Sequence, residues 1–158
     1  MTFLEATARV FYVMGMALVF GGTAALSFAA APQTFKTLKP LEAGKVFGKT
    51  LAVFDRMAGL ASLLAVLSAV VGLFTAVTAP GIARLVLAAC VRLIVLVLRR
   101  HVAPAMAALK PPETEDDERR WDPENRRRFD LLHRQYVRLY ASNLFLSLAA
   151  LVLSALPG

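Results

Sequence analysis

The sequence is poor in the residues that usually build reactive centres. Its 158 residues include one cysteine, Cys90, and two histidines, His101 and His133. A single cysteine excludes an intramolecular disulfide, and two histidines without a neighbouring cysteine or carboxylate fall short of a usual zinc site. The chain also lacks a nucleophile motif, a phosphate-binding loop and a paired-carboxylate site. We therefore expect no catalytic centre and no bound cofactor.

Charge is also missing from two long stretches, residues 10–35 and 57–83. Each is longer than the roughly 20 apolar residues with which an α-helix crosses the ~30 Å hydrocarbon core of a bilayer. A third apolar stretch, residues 85–98, is interrupted only by Arg92, and a fourth covers residues 139–156. The chain is therefore predicted to be an all-α integral membrane protein, a four-helix bundle with cytoplasmic helical extensions.

One transmembrane domain covers residues 1–158 in this interpretation. The 58% hydrophobic composition agrees with it, since that fraction is too high for a soluble domain of this size. We place the spans at about residues 10–33, 52–78, 82–102 and 136–156, and the longer connections at about residues 34–51 and 103–135.

Lysine and arginine cluster in and beside these two longer connections, whereas the opposite side of the spans holds only Arg9 and Arg84. Lysine and arginine beside membrane spans favour the cytoplasmic side, so both termini are predicted to lie outside, in the inner (cytoplasmic) membrane of a cell. Residues 78–81, which include Pro80 and Gly81, are interpreted as a tight external turn. Basic residues beside apolar spans indicate the lipid bilayer as the partner and exclude a nucleic acid.

Two helix starts are predicted on the cytoplasmic side. Pro40 suits the first position of a helix that runs into span two, and Asp122 suits the N-cap of a helix with Pro123 at its first position. Span four then becomes the end of a helix about 50 Å long. Three residues of this helix are candidates for binding anionic lipid headgroups, or else form a solvated face that sets the topology: Arg126, Arg127 and Arg128.

Small residues recur at every fourth position on two spans. Such stripes let helix backbones approach closely within a membrane, where burial from water gives no drive for association. The predicted packing residues are Ala17, Gly21 and Ala25 on span one and Ala61, Ala65 and Ala69 on span two.

Arg92 is the exceptional charge, because a cation well inside a span costs about 2.5 to 3.5 kcal/mol on insertion scales and usually faces the bundle interior. Counting from the span ends places it level with Asn143 on span four. We predict that Arg92 hydrogen-bonds to groups on span four or span one, with Asn143 as the leading partner. The layer is either a structural clamp or a ligand or anion site. Its predicted members are Arg92, Asn143, Tyr140, Ser147, Ser62 and Ser27.

Metal binding has weak support. His101 and His133 both lie near the cytoplasmic ends of their helices and are the only histidine candidates for a metal or haem site. The methionines could offer soft ligands to copper(I) or platinum, but they are spread over several helices, which is typical of core filling. We therefore predict no metal.

Several short segments, taken in order, resemble the transmembrane protein 205-like family. They are Gly21-Gly22, the run Ala31-Pro32 through Phe35, residues 43–48, residues 100–104, residues 129–134 and Asn143. The resemblance implies a four-helix membrane domain, which in bacteria has no known function. Animal members are associated with resistance to platinum drugs, which implies a role in moving or tolerating soft-metal compounds.

A more distant similarity links the fold to the copper-resistance protein D and membrane protoporphyrinogen oxidase group. Span one of that group carries a histidine, whereas residues 13–16 here read Val-Met-Gly-Met. The similarity therefore does not extend to a haem or copper site on this span.

Three classes of function remain open. The first is a non-enzymatic membrane protein, free-standing or an accessory subunit that contacts other membrane-protein helices or further copies of itself. The second is a transporter or tolerance factor for a metal or small solute, which would depend on Arg92 and the methionines. The third is a haem- or porphyrin-handling protein, which would depend on His101 and His133.

Overall fold

The computed structural model describes residues 2–110 and 122–155. They form four long helices, each long and apolar enough to cross a membrane. The prediction of an all-α, multi-pass membrane bundle is confirmed. The helices are α1 (Phe3–Thr37), α2 (Pro40–Thr75), α3 (Ala79–Leu109) and α4 (Pro123–Ala155).

Each helix begins at a residue that suits that position. Thr2 and Glu5 form a reciprocal capping box at the start of α1, and Pro40 occupies the first turn of α2. At α4, the Asp122 carboxylate accepts a hydrogen bond from the Asn125 backbone N–H at 3.3 Å. The predicted helix starts at Pro40 and Asp122 are therefore confirmed, and α4 continues without a break to Ala155.

The predicted turn at residues 78–81 is displaced. The connection between α2 and α3 covers residues 76–78, and Ala79, Pro80 and Gly81 already belong to the first turn of α3. Thr78 is the N-cap, because its hydroxyl accepts a hydrogen bond from the Gly81 backbone N–H at 3.1 Å. Proline fits the first turn of a helix, where its missing N–H would have had no intrahelical partner.

Two helices contain a wider, π-helical turn immediately before a proline. In α1 this turn is Leu26–Ala30, followed by Pro32, and in α3 it is Leu98–Val102, followed by Pro104. A proline inside a helix lacks one N–H donor and its ring clashes with the carbonyl four residues earlier. The wider turn absorbs both effects, so α1 and α3 continue past their prolines.

The four helices form a square in which sequence neighbours are adjacent and α4 returns to pack against α1. One part of the interior between them is an apolar cluster in which tyrosine, methionine, valine and alanine side chains pack together. Its most deeply buried members are Tyr12, Met16, Val19, Ala65, Ala88, Val91 and Ala150.

The small-residue stripe of α2 packs as predicted, because Ala61, Ala65 and Ala69 are all buried. The stripe of α1 does not. Ala17, Gly21 and Ala25 are exposed on the outside of the bundle.

Gly15 and Gly22 provide the close contact between α1 and α2 instead. A Cβ added to Gly15 would lie 2.6 Å from the Ala61 carbonyl oxygen, and one added to Gly22 would lie 2.0 Å from the Phe54 ring. Around Gly21 no atom lies within 4 Å of such a Cβ. The larger side chains of Tyr12, Met16 and Val19 fill the bundle interior, and their burial sets the rotation of α1.

Candidate functional site

Polar side chains from all four helices meet inside the bundle, toward the end where the two longer connections lie. We call this group the polar cluster. All its members are buried except Arg92, which is half-buried. It comprises Thr23 of α1, Asp55 and Ser62 of α2, Arg92 of α3, and Tyr136, Tyr140 and Asn143 of α4.

Asp55 and Tyr136 join two helices that face each other across the diagonal of the square. The Tyr136 hydroxyl donates a hydrogen bond to Asp55 Oδ2 at 3.1 Å, and both side chains are less than 10% exposed. Asp55 was not among the predicted members of the polar layer. Its helical spacing from Ala58 and Ser62, both buried, is the signal that assigns it to the interior face.

Tyr140 packs against Tyr136 and lies near Thr23. Its ring stacks on that of Tyr136 with centroids 5.6 Å apart. Its ring and that of Phe54 are arranged edge to face, with centroids 6.3 Å apart. The hydroxyls of Tyr140 and Thr23 face each other without hydrogen-bond geometry.

Three buried oxygen atoms of the cluster lack hydrogen-bond partners within the part of the chain that the structure describes. They are Thr23 Oγ1, the Tyr140 hydroxyl oxygen and Asn143 Oδ1. Buried polar atoms usually have a partner, and an unpaired one costs about 1 to 3 kcal/mol. This part of the interior can therefore accept further hydrogen bonds.

Arg92 does point toward a neighbouring helix, but its predicted partner was wrong. Its guanidinium donates to the backbone carbonyl oxygen of Gly59 on α2, not to Asn143. The same oxygen accepts a hydrogen bond from the Ser62 hydroxyl at 3.2 Å. The absence of a side chain at Gly59 opens this carbonyl to α3, which explains why the arginine reaches α2 and not α4.

The remaining serines of the predicted layer differ in position. Ser147 is fully buried and donates to the Asn143 carbonyl oxygen at 2.7 Å, within its own helix. Ser27 is exposed, so its assignment to the layer was wrong. It lies in the wide turn of α1, where the helix rotates by less per residue, and Thr23 provides the buried hydroxyl of this helix instead.

The two histidines are exposed, and the His133 ring stacks on Phe129 with centroids 6.1 Å apart. Within residues 2–110 and 122–155, no three histidine, cysteine, aspartate or glutamate side chains form a group that could hold a metal ion. The candidate headgroup-binding residues Arg126, Arg127 and Arg128 are also exposed. Arg128 pairs with Glu124 of the preceding helical turn at 2.9 Å.

The chemistry available to the polar cluster is therefore hydrogen bonding between helices and acceptance of polar groups. Two open apolar grooves lie on the outside of the bundle, one beside Phe145 and Leu148 and one beside Val10 and Met14. Neither brings a titratable group of the polar cluster to the surface.

Comparison with known proteins places the chain in a family but identifies no characterised relative. Residues 14–114 match a family described as a domain of unknown function (DUF4149). The match includes Asp55 and Arg92 but ends before α4 begins at Pro123. No curated protein matches the chain. No solved structure matches it either. Since the match covers well over half of its length, the chain belongs to the DUF4149 family.

Proposed function

We propose that this protein has no catalytic centre of its own and acts as an accessory subunit that packs against the helices of another membrane protein. The observation that carries this proposal is the outward face of α1. Ala17, Gly21 and Ala25 form a small-residue stripe that no helix of the bundle covers within the described residues. Small residues at this spacing are typical of surfaces on which transmembrane helices approach closely.

The arrangement of the polar cluster supports the same proposal. Its donors bond to groups of the bundle itself, as the Tyr136 hydroxyl does to Asp55 and the Arg92 guanidinium does to Gly59. General acid–base catalysis needs a titratable group within hydrogen-bond reach of a substrate. The cluster instead ties α2 to α3 and α4, which suits a rigid scaffold.

Cross-linking in native membranes tests the proposal. Cys90 is replaced by serine, and a single cysteine that carries a photoreactive label is placed at Gly21 or, as a matched control, at the exposed Ala89 of α3. We expect an adduct with another membrane protein from Gly21→Cys and not from Ala89→Cys. An adduct of twice the 17.1 kDa chain mass would show that the partner is a second copy of this chain. Equal cross-linking from both positions would contradict the proposal.

A transporter or tolerance factor for a metal or small solute is the second candidate. The observation in its favour is the set of buried oxygens without partners, since polar residues inside a membrane bundle often line a solute pathway. If this is the function, Asn143→Ala will fail to restore solute tolerance to a deletion strain, while Ser142→Ala, exposed on the same helix, will restore it. Equal restoration would remove this candidate.

A haem- or porphyrin-handling role depends on His101 and His133. Absorption spectroscopy of the purified chain tests it, because a bound haem gives a Soret band. A band that disappears when both histidines are replaced would favour this role over the accessory one.

We also propose that the chain is related to the transmembrane protein 205-like family. Its proposed location is the inner membrane, with both termini outside. The family description and the four apolar helices are compatible with both. The proposed partners are accordingly the lipid bilayer and other membrane helices.

A further inference from the structure

Two arginines of α3 converge on one point of α2. The Nη1 atoms of Arg99 and Arg92 lie 3.4 and 3.7 Å from the position that a Cβ on Gly59 would occupy. The two residues are two helical turns apart, about 10 Å along the axis. Their side chains must therefore bend toward each other, and the missing side chain of Gly59 leaves the space in which they meet.

Most hydrogen-bond donors of this arginine pair are unused. A guanidinium carries five N–H donors, and Arg92 commits one contact, to the Gly59 carbonyl oxygen. Within the part of the chain that the structure describes, Arg99 has no hydrogen bond and no ion pair. The Asp55 carboxyl group accepts its hydrogen bond from Tyr136 and forms no ion pair with Arg99.

A bound anion would stabilise two neighbouring cations at the edge of an apolar bundle. Like charges repel, and the repulsion is stronger where water is partly excluded. A phosphate group suits the geometry, because its oxygens can accept two parallel hydrogen bonds from each planar guanidinium. Arg99 is exposed near the end of the apolar part of α3, at the level where lipid headgroups meet a transmembrane helix.

We propose that Arg92 and Arg99, meeting over Gly59, form a phosphate-binding site in the cleft between α2 and α3. The ligand is the phosphate of an anionic phospholipid or a soluble phosphate, since both present the same oxygens to the guanidinium groups. This site is separate from the headgroup candidates Arg126, Arg127 and Arg128 on α4 and from the proposed docking face of α1.

Native mass spectrometry of the purified full chain in neutral detergent tests the site. Phosphatidylglycerol and chain-matched phosphatidylcholine are titrated separately, and the retained lipid is counted. We expect preferential retention of phosphatidylglycerol by the wild-type chain. Arg99→Gln should weaken phosphatidylglycerol binding roughly tenfold, because one charge-assisted hydrogen bond is lost. The double variant with Arg92→Gln should weaken this binding further. The matched control is Arg100→Gln, which removes an equal, exposed charge next in sequence and should change retention by less than about twofold.

A competition arm identifies the source of the phosphate. Sodium phosphate is added against sodium chloride of equal ionic strength. Displacement of the lipid by phosphate in the wild-type chain, lost in Arg99→Gln, indicates a soluble phosphate ligand, and retention of the lipid indicates a phospholipid. Equal loss of lipid in Arg99→Gln and Arg100→Gln, or no loss in either, would overturn the site. Arg99→Gln carries the test even if Arg92→Gln fails to fold, because the Arg99 side chain is exposed and bonds to no described residue.

Discussion

Gly15 and Gly21 offer a matched pair of substitutions that tests the rotation of α1. Both glycines lie on the same helix, but Gly15 is buried and Gly21 is exposed. A methyl group at Gly15 would lie 2.6 Å from the Ala61 carbonyl oxygen, which belongs to the backbone of α2 and cannot rotate away. At Gly21 it would meet nothing within 4 Å.

Two opposing effects set the difference in the free energy of unfolding between Gly15→Ala and Gly21→Ala. Alanine favours a helix over glycine by roughly 0.5 to 1 kcal/mol, and this gain applies to both positions. Overpacking of a filled interior costs about 1 to 3 kcal/mol and applies only at Gly15. The free energy of unfolding of Gly15→Ala should therefore fall below that of Gly21→Ala by about 1 to 3 kcal/mol.

Unfolding by sodium dodecyl sulfate in mixed micelles, followed by circular dichroism, measures this difference. Gly21→Ala should match or slightly exceed the wild-type stability. If Gly21→Ala were instead the less stable variant, α1 would be rotated so that the stripe of Ala17, Gly21 and Ala25 packs on α2. The proposed outward docking face would then not exist.

Three further predictions concern a buried hydrogen bond, the membrane topology and a helix cap. Tyr136→Phe should cost about 1.5 to 3 kcal/mol by leaving the buried Asp55 carboxyl without its donor. A double-mutant cycle with Asp55→Ala, which removes the acceptor, should show coupling between the two sites, and additive losses would exclude the hydrogen bond. In a cysteine-free background, a cysteine at Lys39 should react only with reagents that reach the cytoplasm, and a cysteine at Val77 only with external reagents. The reverse pattern would show that the predicted orientation is wrong. Thr78→Ala should lower the free energy of unfolding by about 1 kcal/mol through loss of the α3 N-cap. The same unfolding titration measures it, and an unchanged stability would contradict a stabilising role of the cap.

The helices themselves could be predicted because their signals are local. Long charge-free stretches set the spans, and the residue types at Pro40 and Asp122 set two helix starts. The displaced turn at residues 78–81 has the same origin, since proline and glycine serve equally well in a turn and in the first turn of a helix. Only the cap formed by Thr78 distinguishes the two.

The rotation of α1 could not be predicted in the same way. In a membrane, the lipid is as apolar as the bundle interior, so hydrophobicity does not indicate which face of a helix is buried. Gly15 and Gly22 on one face and Ala17, Gly21 and Ala25 on another offered two small-residue surfaces. The choice between them depends on the shape of α2, where Ala61 and Phe54 contact the first pair.

Part of the membership of the polar cluster was predicted, but its hydrogen-bond partners were not. Counting residues placed Arg92, Ser62, Tyr140 and Asn143 in one interior region, yet the acceptor for Arg92 is a backbone carbonyl. A backbone atom carries no side-chain signature, so the sequence pattern favoured Asn143. Asp55 was missed because it lies close to the predicted start of span two at about residue 52, where a charged side chain is not exceptional.

The wide turns of α1 and α3 have a mechanical consequence. Where a helix passes from one hydrogen-bond spacing to another, its ladder is interrupted and bending costs less than in a regular segment. Both interruptions lie toward the same end of the bundle, on diagonally opposite corners, and each leaves a short terminal segment beyond it, Ala31–Thr37 and Ala103–Leu109. Each segment is held against a neighbouring helix, the first by the Phe35 ring beside Phe47 of α2 and the second by Ala103 and Met106 beside the interior. A bend at either wide turn therefore requires these contacts to open.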